Sequence, residues 1–433
     1  MVKIGFISLG CSKNLVDTEM MIGLIKNSGC IICNNVEEAD IILINTCGFI
    51  NDAKEESINT ILEMVQLKKE GKCKCIVVTG CLAKRYKKEL IKLIPEVDMF
   101  IGTDEYDNFG NIINELVKDI KIKDKLENMN REITTPKYMA YIKIAEGCDN
   151  RCTYCAIPYI RGKYVSRTIE DILQEANKLY KNGVKELIVI AQDTTKYGID
   201  IYGKYSLDVL LDRLAKIGFK WIRVLYTYPE TINDNLIKVI KENKNICQYF
   251  DIPIQHISDK VLKRMGRKGD SKQIKDVIEK IRKEIPNAVI RTTLIVGFPG
   301  ETQEDFDKLY DFVKETKFNR LGVFKYSKEE NTPAEKLDGH LHYKTKEKRQ
   351  KQIMQLQQQI SYNNNKEKIG KKYEMIIEEI VNDGIFGRTY MDAPEIDGIV
   401  ECKNVDNKKY NIGDIIQVEI IDCYEYDLVG KII

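Results

Sequence analysis

The chain has 433 residues, of which 43% are hydrophobic and 31% charged, and a formal net charge of +2, which suits two to four domains that each bury a core. A secretory signal pattern and an apolar run long enough to span a bilayer are both absent from the sequence, which predicts a soluble cytoplasmic protein with no membrane contact. Thirteen cysteines in a reducing compartment exclude a disulfide framework and indicate metal chemistry for at least some of them.

The first section of the chain alternates short apolar runs with helical patterns. Strands are expected at residues 2–9, 40–45, 75–79 and 97–101, each of the first three followed by a helix. This alternation predicts a parallel α/β domain. We place that domain at residues 1–117 and a polar, lysine-rich linker at residues 118–133.

Three cysteines, Cys11, Cys47 and Cys81, follow three of these strands directly, each beside a glycine. The carboxyl ends of parallel strands lie along one edge of a sheet, and glycine lets a backbone approach a cluster closely. The pattern therefore predicts a site of three thiolates, although free cysteines can also be small buried hydrophobes. The pair Cys30 and Cys33 is interpreted as structural, because it is expected at the end of the first helix and not after a strand.

The second section, residues 134–365, is also alternating. Strands are expected at residues 139–144, 186–191, 221–226, 249–254, 289–296 and 321–326. Six such units predict a partial (βα)6 barrel of the TIM type, whose site lies at the carboxyl ends of the strands. A polar helical stretch at residues 344–365 is expected to be a connector to the last section.

A second group of cysteines, Cys148, Cys152 and Cys155, follows the first strand of this barrel with the spacing C-x3-C-x2-C. Three thiolates are one fewer than a structural zinc site or a fully ligated 4Fe–4S cluster uses. The pattern resembles that of radical S-adenosylmethionine enzymes, in which the open iron binds the cofactor, and Tyr154 fits the same pattern. A zinc knuckle is the alternative, but none of the three histidines lies near this loop.

Further candidates for cofactor contacts lie at the ends of barrel strands. Gly297 and Gly300 form a glycine-rich turn that could pack against an adenine or a ribose, with an ordinary βα connection as the alternative. Gln192 follows the second strand. Arg161 and Arg167 follow the cysteine loop and could hold a carboxylate, or be ordinary surface charges.

The third section, residues 366–433, has short β-type runs separated by turns of Asn, Asp and Gly, which predicts a small antiparallel β-barrel. Residues 371–433 hold seven basic and fourteen acidic residues, a net charge of −7 that leaves +9 for the rest of the chain. An RNA-binding barrel is expected to be basic. The acidic barrel suits a basic protein partner, and direct nucleic-acid binding is not expected.

Over its whole length, the chain resembles the methylthiotransferases of the radical S-adenosylmethionine group, which have a three-cysteine domain, a barrel and a C-terminal TRAM domain. Three segments resemble the branch that modifies a ribosomal protein: residues 8–19 (SLGCSKNLVDTE), 290–302 (IRTTLIVGFPGET) and 392–398 (DAPEIDG). The first departs slightly, with Ser12 where proline is usual and Thr18 where serine is usual. Neither position is a ligand.

The resemblance implies two 4Fe–4S clusters, one that activates S-adenosyl-L-methionine on Cys148, Cys152 and Cys155, and an auxiliary one that handles sulfur on the other three cysteines. It implies a methylthio transfer to the β-carbon of one aspartate in ribosomal protein S-twelve of the small subunit. An electron donor such as flavodoxin or ferredoxin is expected, because the target C–H bond is unactivated and cofactors carry such steps.

Two alternatives stay open at this point. A tRNA adenosine methylthiotransferase would use the same chemistry, but the acidic barrel and residues 392–398 disfavour it. A non-catalytic iron–sulfur electron carrier or a zinc-stabilised binding module would need no barrel. Binding of tRNA at moderate salt would indicate the tRNA enzyme. Purified protein that contains zinc and no sulfide would indicate the zinc-stabilised module.

Overall fold

The computed structural model describes residues 2–116, 121–122, 126, 130–381, 384–403 and 409–433. Most of the predicted linker at residues 118–133 lies outside these ranges. The described N-terminal section contains β1 (Lys3–Ser8), α1 (Ser12–Asn27), β2 (Ile31–Cys33), β3 (Ile41–Thr46), α2 (Asn51–Lys69), β4 (Cys75–Gly80), α3 (Cys81–Leu93), β5 (Met99–Gly102) and α4 (Phe109–Leu116).

The five strands form one parallel sheet in the order β2-β1-β3-β4-β5. Strands β3 and β4 are buried along their whole length because helices cover both faces. The predicted parallel α/β domain is confirmed, with one strand more than expected. Strand β2 is a three-residue edge strand that ends at Cys33, and Cys30 lies between the end of α1 and this strand, beyond the stop of the first helix as expected.

The middle section begins with a strand at the expected place. Its elements are β6 (Met139–Lys143), β7 (Ala145–Glu146), α5 (Ile157–Arg161), β8 (Val165–Ser166), α6 (Ile169–Lys181), β9 (Glu186–Ile190), α7 (Ile199–Tyr202), α8 (Leu207–Ala215), β10 (Trp221–Val224), α9 (Asp234–Glu242), β11 (Tyr249–Asp251), α10 (Asp259–Arg264), α11 (Ser271–Glu284), β12 (Val289–Val296), α12 (Gln303–Thr316), β13 (Arg320–Lys325) and α13 (Tyr343–Lys366).

Two parallel sheets, β6-β9-β10 and β11-β12-β13, form the barrel wall. A parallel bridge between Ile222 and Ile246 joins them, so the six predicted strands make one open barrel. The short strands β7 and β8 pair antiparallel and bracket the loop that carries the second group of cysteines. Helix α13 packs on β13 and α12, and then leads to the last section.

The last section is a closed barrel of β14 (Lys372–Val381), β15 (Gly384–Arg388), β16 (Val400–Lys403), β18 (Leu428–Ile432) and β17 (Ile415–Cys423) in that order. The predicted small barrel is confirmed, but one of its pairs, β16 with β18, is parallel. The other pairs are antiparallel.

This small barrel closes the base of the larger one. Apolar residues of both barrels, with Val16 of α1, share one buried cluster. The segment of residues 392–398 enters the interface, where Tyr249 donates a hydrogen bond of 2.5 Å to Asp397 and Arg291 lies 3.6 Å from the same carboxylate. Among the described residues, none of the helices has the length and apolar character needed to cross a bilayer.

Candidate active site between the N-terminal sheet and the barrel

The first group of thiols lies where three parallel strands end. Cys11 directly precedes α1, Cys47 follows β3, and Cys81 is the first residue of α3. Gly10 has a φ of +88°, and a Cβ at this position would lie 2.7 Å from Cβ and 3.1 Å from Sγ of Cys47. A side chain on Gly48 would similarly collide with the backbone of Leu82 at 2.7 Å. The three predicted cysteines are therefore brought together, and glycine is needed for the approach.

Charge and burial affect these thiols differently. Burial raises the pKa of Cys81 to about 11, even though Arg161 lies beside it, and burial also raises the pKa of Cys47. The residue Cys11 is exposed, but protein atoms around its thiol exclude water on one side and act to raise its pKa. The positive charges of Lys13 and Arg161 and the backbone hydrogen bonds from Lys13 and Asn14 outweigh that effect and leave the pKa of this thiol below its ordinary value. The raised pKa values mean that Cys47 and Cys81 keep their protons until a metal binds, because coordination deprotonates a thiol.

The second group of thiols is held by a loop that is hydrogen-bonded to the residue after α5 and to the residue after α10. Cys148 donates its backbone N–H to Gly162 at 3.1 Å, and Thr153 donates to Met265 at 2.9 Å. Burial raises the pKa of Cys148 to about 11 and raises that of Cys155 further. Arg267 places Nη1 at 4.0 Å from Sγ of Cys152. The loop thus presents three thiols beside one buried cation.

The two thiol groups face each other across the domain junction. Cys81 packs directly against Ala156 and Ile160, which follow Cys155 in the loop and in α5. Arg161, at the end of α5, places Nη2 at 3.5 Å from Sγ of Cys81. Both groups therefore lie at the facing strand ends of the sheet and the barrel.

A buried charge network fixes this junction. Arg161 contacts Asp17 of α1 at 2.6 Å, and Lys143 at the end of β6 contacts the same carboxylate at 2.5 Å. Lys143 also lies 2.7 Å from Glu146. Burial alone would raise the pKa of Glu146, but Lys143 and Arg161 hold it well below its ordinary value. Sequence reasoning missed Asp17 and Lys143, and it considered Arg161 only for binding a ligand, because the ion pairs join distant parts of the chain.

Of the predicted cofactor contacts, Tyr154 and Gln192 lie in the site. The ring of Tyr154 meets Phe298 edge-on with centroids 6.3 Å apart. Gln192 donates to Glu146 at 2.9 Å, and its Oε1 is buried without a hydrogen-bond partner. Arg167 is already engaged, with Glu175 at 2.6 Å and Asp171 at 2.7 Å. Its side chain is 12% exposed and is held by these two carboxylates of α6, so it is not an isolated surface charge.

The glycine-rich turn is built around a carboxylate of the chain itself. Gly297 and Phe298 donate their N–H groups to Oε2 of Glu301 at 2.7 and 3.1 Å. Gly300 donates to the carbonyl of Gly339 at 2.8 Å. These amides are occupied and the side chain of Phe298 is fully buried, so this part of the turn presents neither free N–H donors nor the Phe298 ring to a cofactor. Contact of Gly297 and Gly300 with the cofactor stays a prediction.

Several buried polar atoms around the barrel mouth have no hydrogen-bond partner. They are Ser12 Oγ, Gln192 Oε1, Gln255 Oε1, Glu230 Oε2 and Arg267 Nε. A recess of about 170 Å³ beside Cys152 is lined by two of these residues, Glu230 and Arg267, and by Tyr228. Buried polar groups are normally satisfied, so the residues present fit a polar cofactor at this position.

Among the described residues, no three thiol, imidazole or carboxylate groups are placed to hold a single metal ion. A structural zinc site takes four ligands about 2.0–2.3 Å from one ion, and a 4Fe–4S cluster is held by cysteine thiolates.

A larger cavity of about 450 Å³ opens between the sheet and the barrel on the far side of Arg161. Lys84 and Tyr106 line it from the N-terminal section, and Glu146 and Tyr159 line it from the barrel. Tyr159 is 60% exposed at its rim. The cavity gives the domain junction an opening to solvent.

Comparison with known proteins agrees with this architecture. Residues 142–313 match the Radical SAM superfamily, residues 369–433 match the TRAM domain, and residues 3–102 match the uncharacterized protein family UPF0004. The radical S-adenosylmethionine methyltransferase TsrM from Kitasatospora setae has a TM-score of 0.56 at 10% identity, over 75% of this chain and 73% of that chain. At this identity the likeness shows the fold alone. Fold and thiol pattern together define a radical S-adenosylmethionine protein.

Two relatives narrow the class further. A ribosomal protein uS12 methylthiotransferase RimO from Alkaliphilus oremlandii is 56% identical over 437 residues, covering 100% of this chain and 99% of the relative. A protein of the same name from Clostridioides difficile is 54% identical over 443 residues, again covering 100% and 99%. The chain belongs to the family of these methylthiotransferases, and its use of an iron–sulfur cluster with S-adenosylmethionine follows.

Proposed function

We propose that this protein transfers a methylthio group to the β-carbon of an aspartate in small-subunit ribosomal protein S-twelve (uS12). The full-length identity of 56% to a uS12 methylthiotransferase is the observation that carries the proposal. The pairing of two three-thiol groups across one junction supports it, because the chemistry needs both a cofactor-activating centre and a sulfur-handling centre.

Each thiol group holds one 4Fe–4S cluster in this proposal. Cys148, Cys152 and Cys155 hold the cluster that binds S-adenosylmethionine, and the cysteines of the N-terminal sheet hold the auxiliary cluster. When bound, these groups supply the electron and the radical chemistry that opens a C–H bond with no acidic proton, and they supply the sulfur that replaces the hydrogen.

The residues of the chain position these groups. Arg267 and Arg161 each place a guanidinium beside one thiol group, at 4.0 Å from Cys152 and 3.5 Å from Cys81. Both cations offset the negative charge that thiolates bring into a buried site. Tyr154, Gln192, Gly297, Gly300 and Arg167 are proposed to shape the cofactor pocket, the first two by direct contact.

The remaining assignments concern partners and boundaries. We infer a cytoplasmic location, a flavodoxin or a ferredoxin as the electron donor, and no direct binding to nucleic acid. Domain boundaries are proposed at residues 1–117, 134–365 and 366–433, with a linker at 118–133. Several acids of the small barrel are exposed, among them Glu379, Asp422 and Glu425, and these are available to a basic ribosomal protein.

Mass spectrometry of a competition reaction tests the proposal. Protein reconstituted anaerobically with iron and sulfide receives reductant, S-adenosylmethionine, a decoding-loop peptide of uS12 and unmodified tRNA in one tube. A methylthio group on the aspartate of the peptide is the expected result. Modified adenosine with an unmodified peptide would refute the proposal and assign the protein to the tRNA branch.

Two cysteine variants separate the roles of the thiol groups. Cys152→Ala should abolish both the cleavage of S-adenosylmethionine and product formation, because it removes a ligand of the activating cluster. Cys47→Ala should leave cleavage intact and stop sulfur insertion. Cys247→Ala, at a buried cysteine outside both groups, is the matched control and should retain both activities. Equal loss of cleavage in Cys47→Ala and Cys152→Ala would contradict two separate clusters.

A further inference from the structure

Lys13 is a buried cation at the mouth of the barrel. It is the second residue of α1, is 7% exposed, and lies two positions after Cys11. Its Nζ is 3.5 Å from the carbonyl oxygen of Ala191, just past β9, and 3.5 Å from the centre of the ring of Tyr226, just past β10. The side chain therefore reaches from the auxiliary thiol group to the strand ends of the barrel.

The ammonium of Lys13 makes no ion pair among the described residues, unlike the other buried cations at this junction. Asp17, one turn further along α1, pairs instead with Lys143 and Arg161. Arg131 likewise pairs with Glu19 at 2.6 Å. Apart from the thiol of Cys11, whose pKa it lowers, the ammonium has one carbonyl and one ring as its neighbours among the described residues. A buried charge with so few partners is costly, and an anion bound beside it would lower that cost.

The surroundings of Lys13 have two other features of a binding site. Tyr226, whose ring contacts Lys13, adopts a left-handed backbone angle with a φ of +61° although it is not glycine. Strained conformations of this kind cluster where ligands bind. Ser12 Oγ, on the neighbouring residue of α1, is buried and has no hydrogen-bond partner among the described residues.

We propose that Lys13 binds the side-chain carboxylate of the target aspartate and so selects aspartate against asparagine. This inference rests on the proposed function. The carboxylate and the reacting β-carbon of aspartate are joined by one bond. A carboxylate held by Lys13 would therefore place the β C–H bond between Cys11 and the mouth of the barrel. The same ammonium also suits the carboxylate of S-adenosylmethionine, so the experiment has to distinguish these two ligands.

The test measures binding without turnover. Reconstituted protein, with S-adenosylmethionine and no reductant, is titrated with a labelled uS12 loop peptide that carries aspartate or asparagine at the target position. Because a hydrogen bond to a charged group contributes about 1.5–3 kcal/mol, the unaltered protein should prefer aspartate by roughly tenfold to a hundredfold. Lys13→Met should bind both peptides within about twofold of each other, and Lys13→Arg should retain most of the preference.

Lys26→Met is the matched control, because it removes a lysine of the same helix from an exposed pair with Glu132. It should keep the preference for aspartate. Iron and sulfide contents are measured first for every variant, and Lys13→Gln replaces Lys13→Met if iron is lost. An undiminished preference for the aspartate peptide in Lys13→Met would overturn the inference. The inference would also be overturned if this variant lost S-adenosylmethionine binding, measured by dialysis, but kept the preference for aspartate. Failure of the unaltered protein to bind or modify either peptide would instead refute the proposed function.

Discussion

The contact between the two barrels contains a buried and an exposed ion pair, which allows a prediction with an internal control. Arg388 of the small barrel contacts Glu186 of the large one at 2.7 Å, with exposed fractions of 1% and 0%, and also contacts Glu378 at 2.8 Å. Glu374 contacts Lys220 across the same interface at 2.6 Å, but these side chains are 38% and 42% exposed.

The two pairs should differ strongly in what their loss costs. Removing one partner of a buried pair costs about 3–5 kcal/mol because the other charge stays buried. For Arg388→Met we expect about 3 kcal/mol, the lower end, because Arg223 still pairs with Glu186 at 2.8 Å. Glu374→Gln should cost less than about 1 kcal/mol, since exposed pairs are screened by water.

Amide hydrogen exchange in the small barrel measures this difference. A destabilisation of about 3 kcal/mol corresponds to roughly a hundredfold faster exchange in strands that open when the barrel undocks. Exchange in the N-terminal sheet is the internal reference and should not change. Equal acceleration in the two variants, or less than about threefold in Arg388→Met, would refute the assignment of docking energy to the buried pair.

Two further predictions concern the barrel and the auxiliary site. Burial lowers the pKa of His256 to about 3 from 6.5, so the unfolded chain takes up a proton below pH 6.5 that the folded chain refuses. Stability should therefore fall by about 1.4 kcal/mol per pH unit as pH drops from 6.5 towards 3. His256→Asn should flatten this fall in urea midpoints, and an unchanged slope would contradict a neutral buried histidine. Gly10→Ala should cut the iron content to about half, because its Cβ would meet Cys47 at 2.7 Å. Full iron content in that variant would show that the loops can relax.

Much of the architecture could be predicted from sequence because its signals are local. The apolar runs of both sheets are long and separated by helices, so the strand positions followed from periodicity. The convergence of Cys11, Cys47 and Cys81 followed from one rule about parallel strands. Each of these cysteines directly follows a strand, so the predicted position of the strand also predicts the position of the cysteine.

What sequence could not supply depends on contacts between distant segments. Strand β2 is three residues long and gains its pairing only from β1, so no periodicity marks it. Sequence does not show that Arg167 pairs with Glu175. It also does not show that Lys13 is buried without an ion-pair partner among the described residues. Residues 392–398 support only the resemblance to the branch that modifies a ribosomal protein, and nothing in them indicates that Asp392 is buried against Arg320 at the base of the barrel. Some acidic residues of the small barrel are therefore buried in its contact with the large barrel and are not accessible to a partner protein.

Helix α1 has consequences for anyone who would study the N-terminal sheet alone. Eleven of its sixteen residues are buried, including Asp17 and Glu19. Their cationic partners, Lys143, Arg161 and Arg131, all lie beyond residue 117. A fragment ending there would expose the apolar side chains of Leu15, Val16 and Met20, which pack on the barrels in the full chain. Contiguous exposed apolar surface favours aggregation. A soluble fragment would require polar substitutions on that surface. Its cysteines would also lack Arg161, which lies beside Cys81 in the full chain.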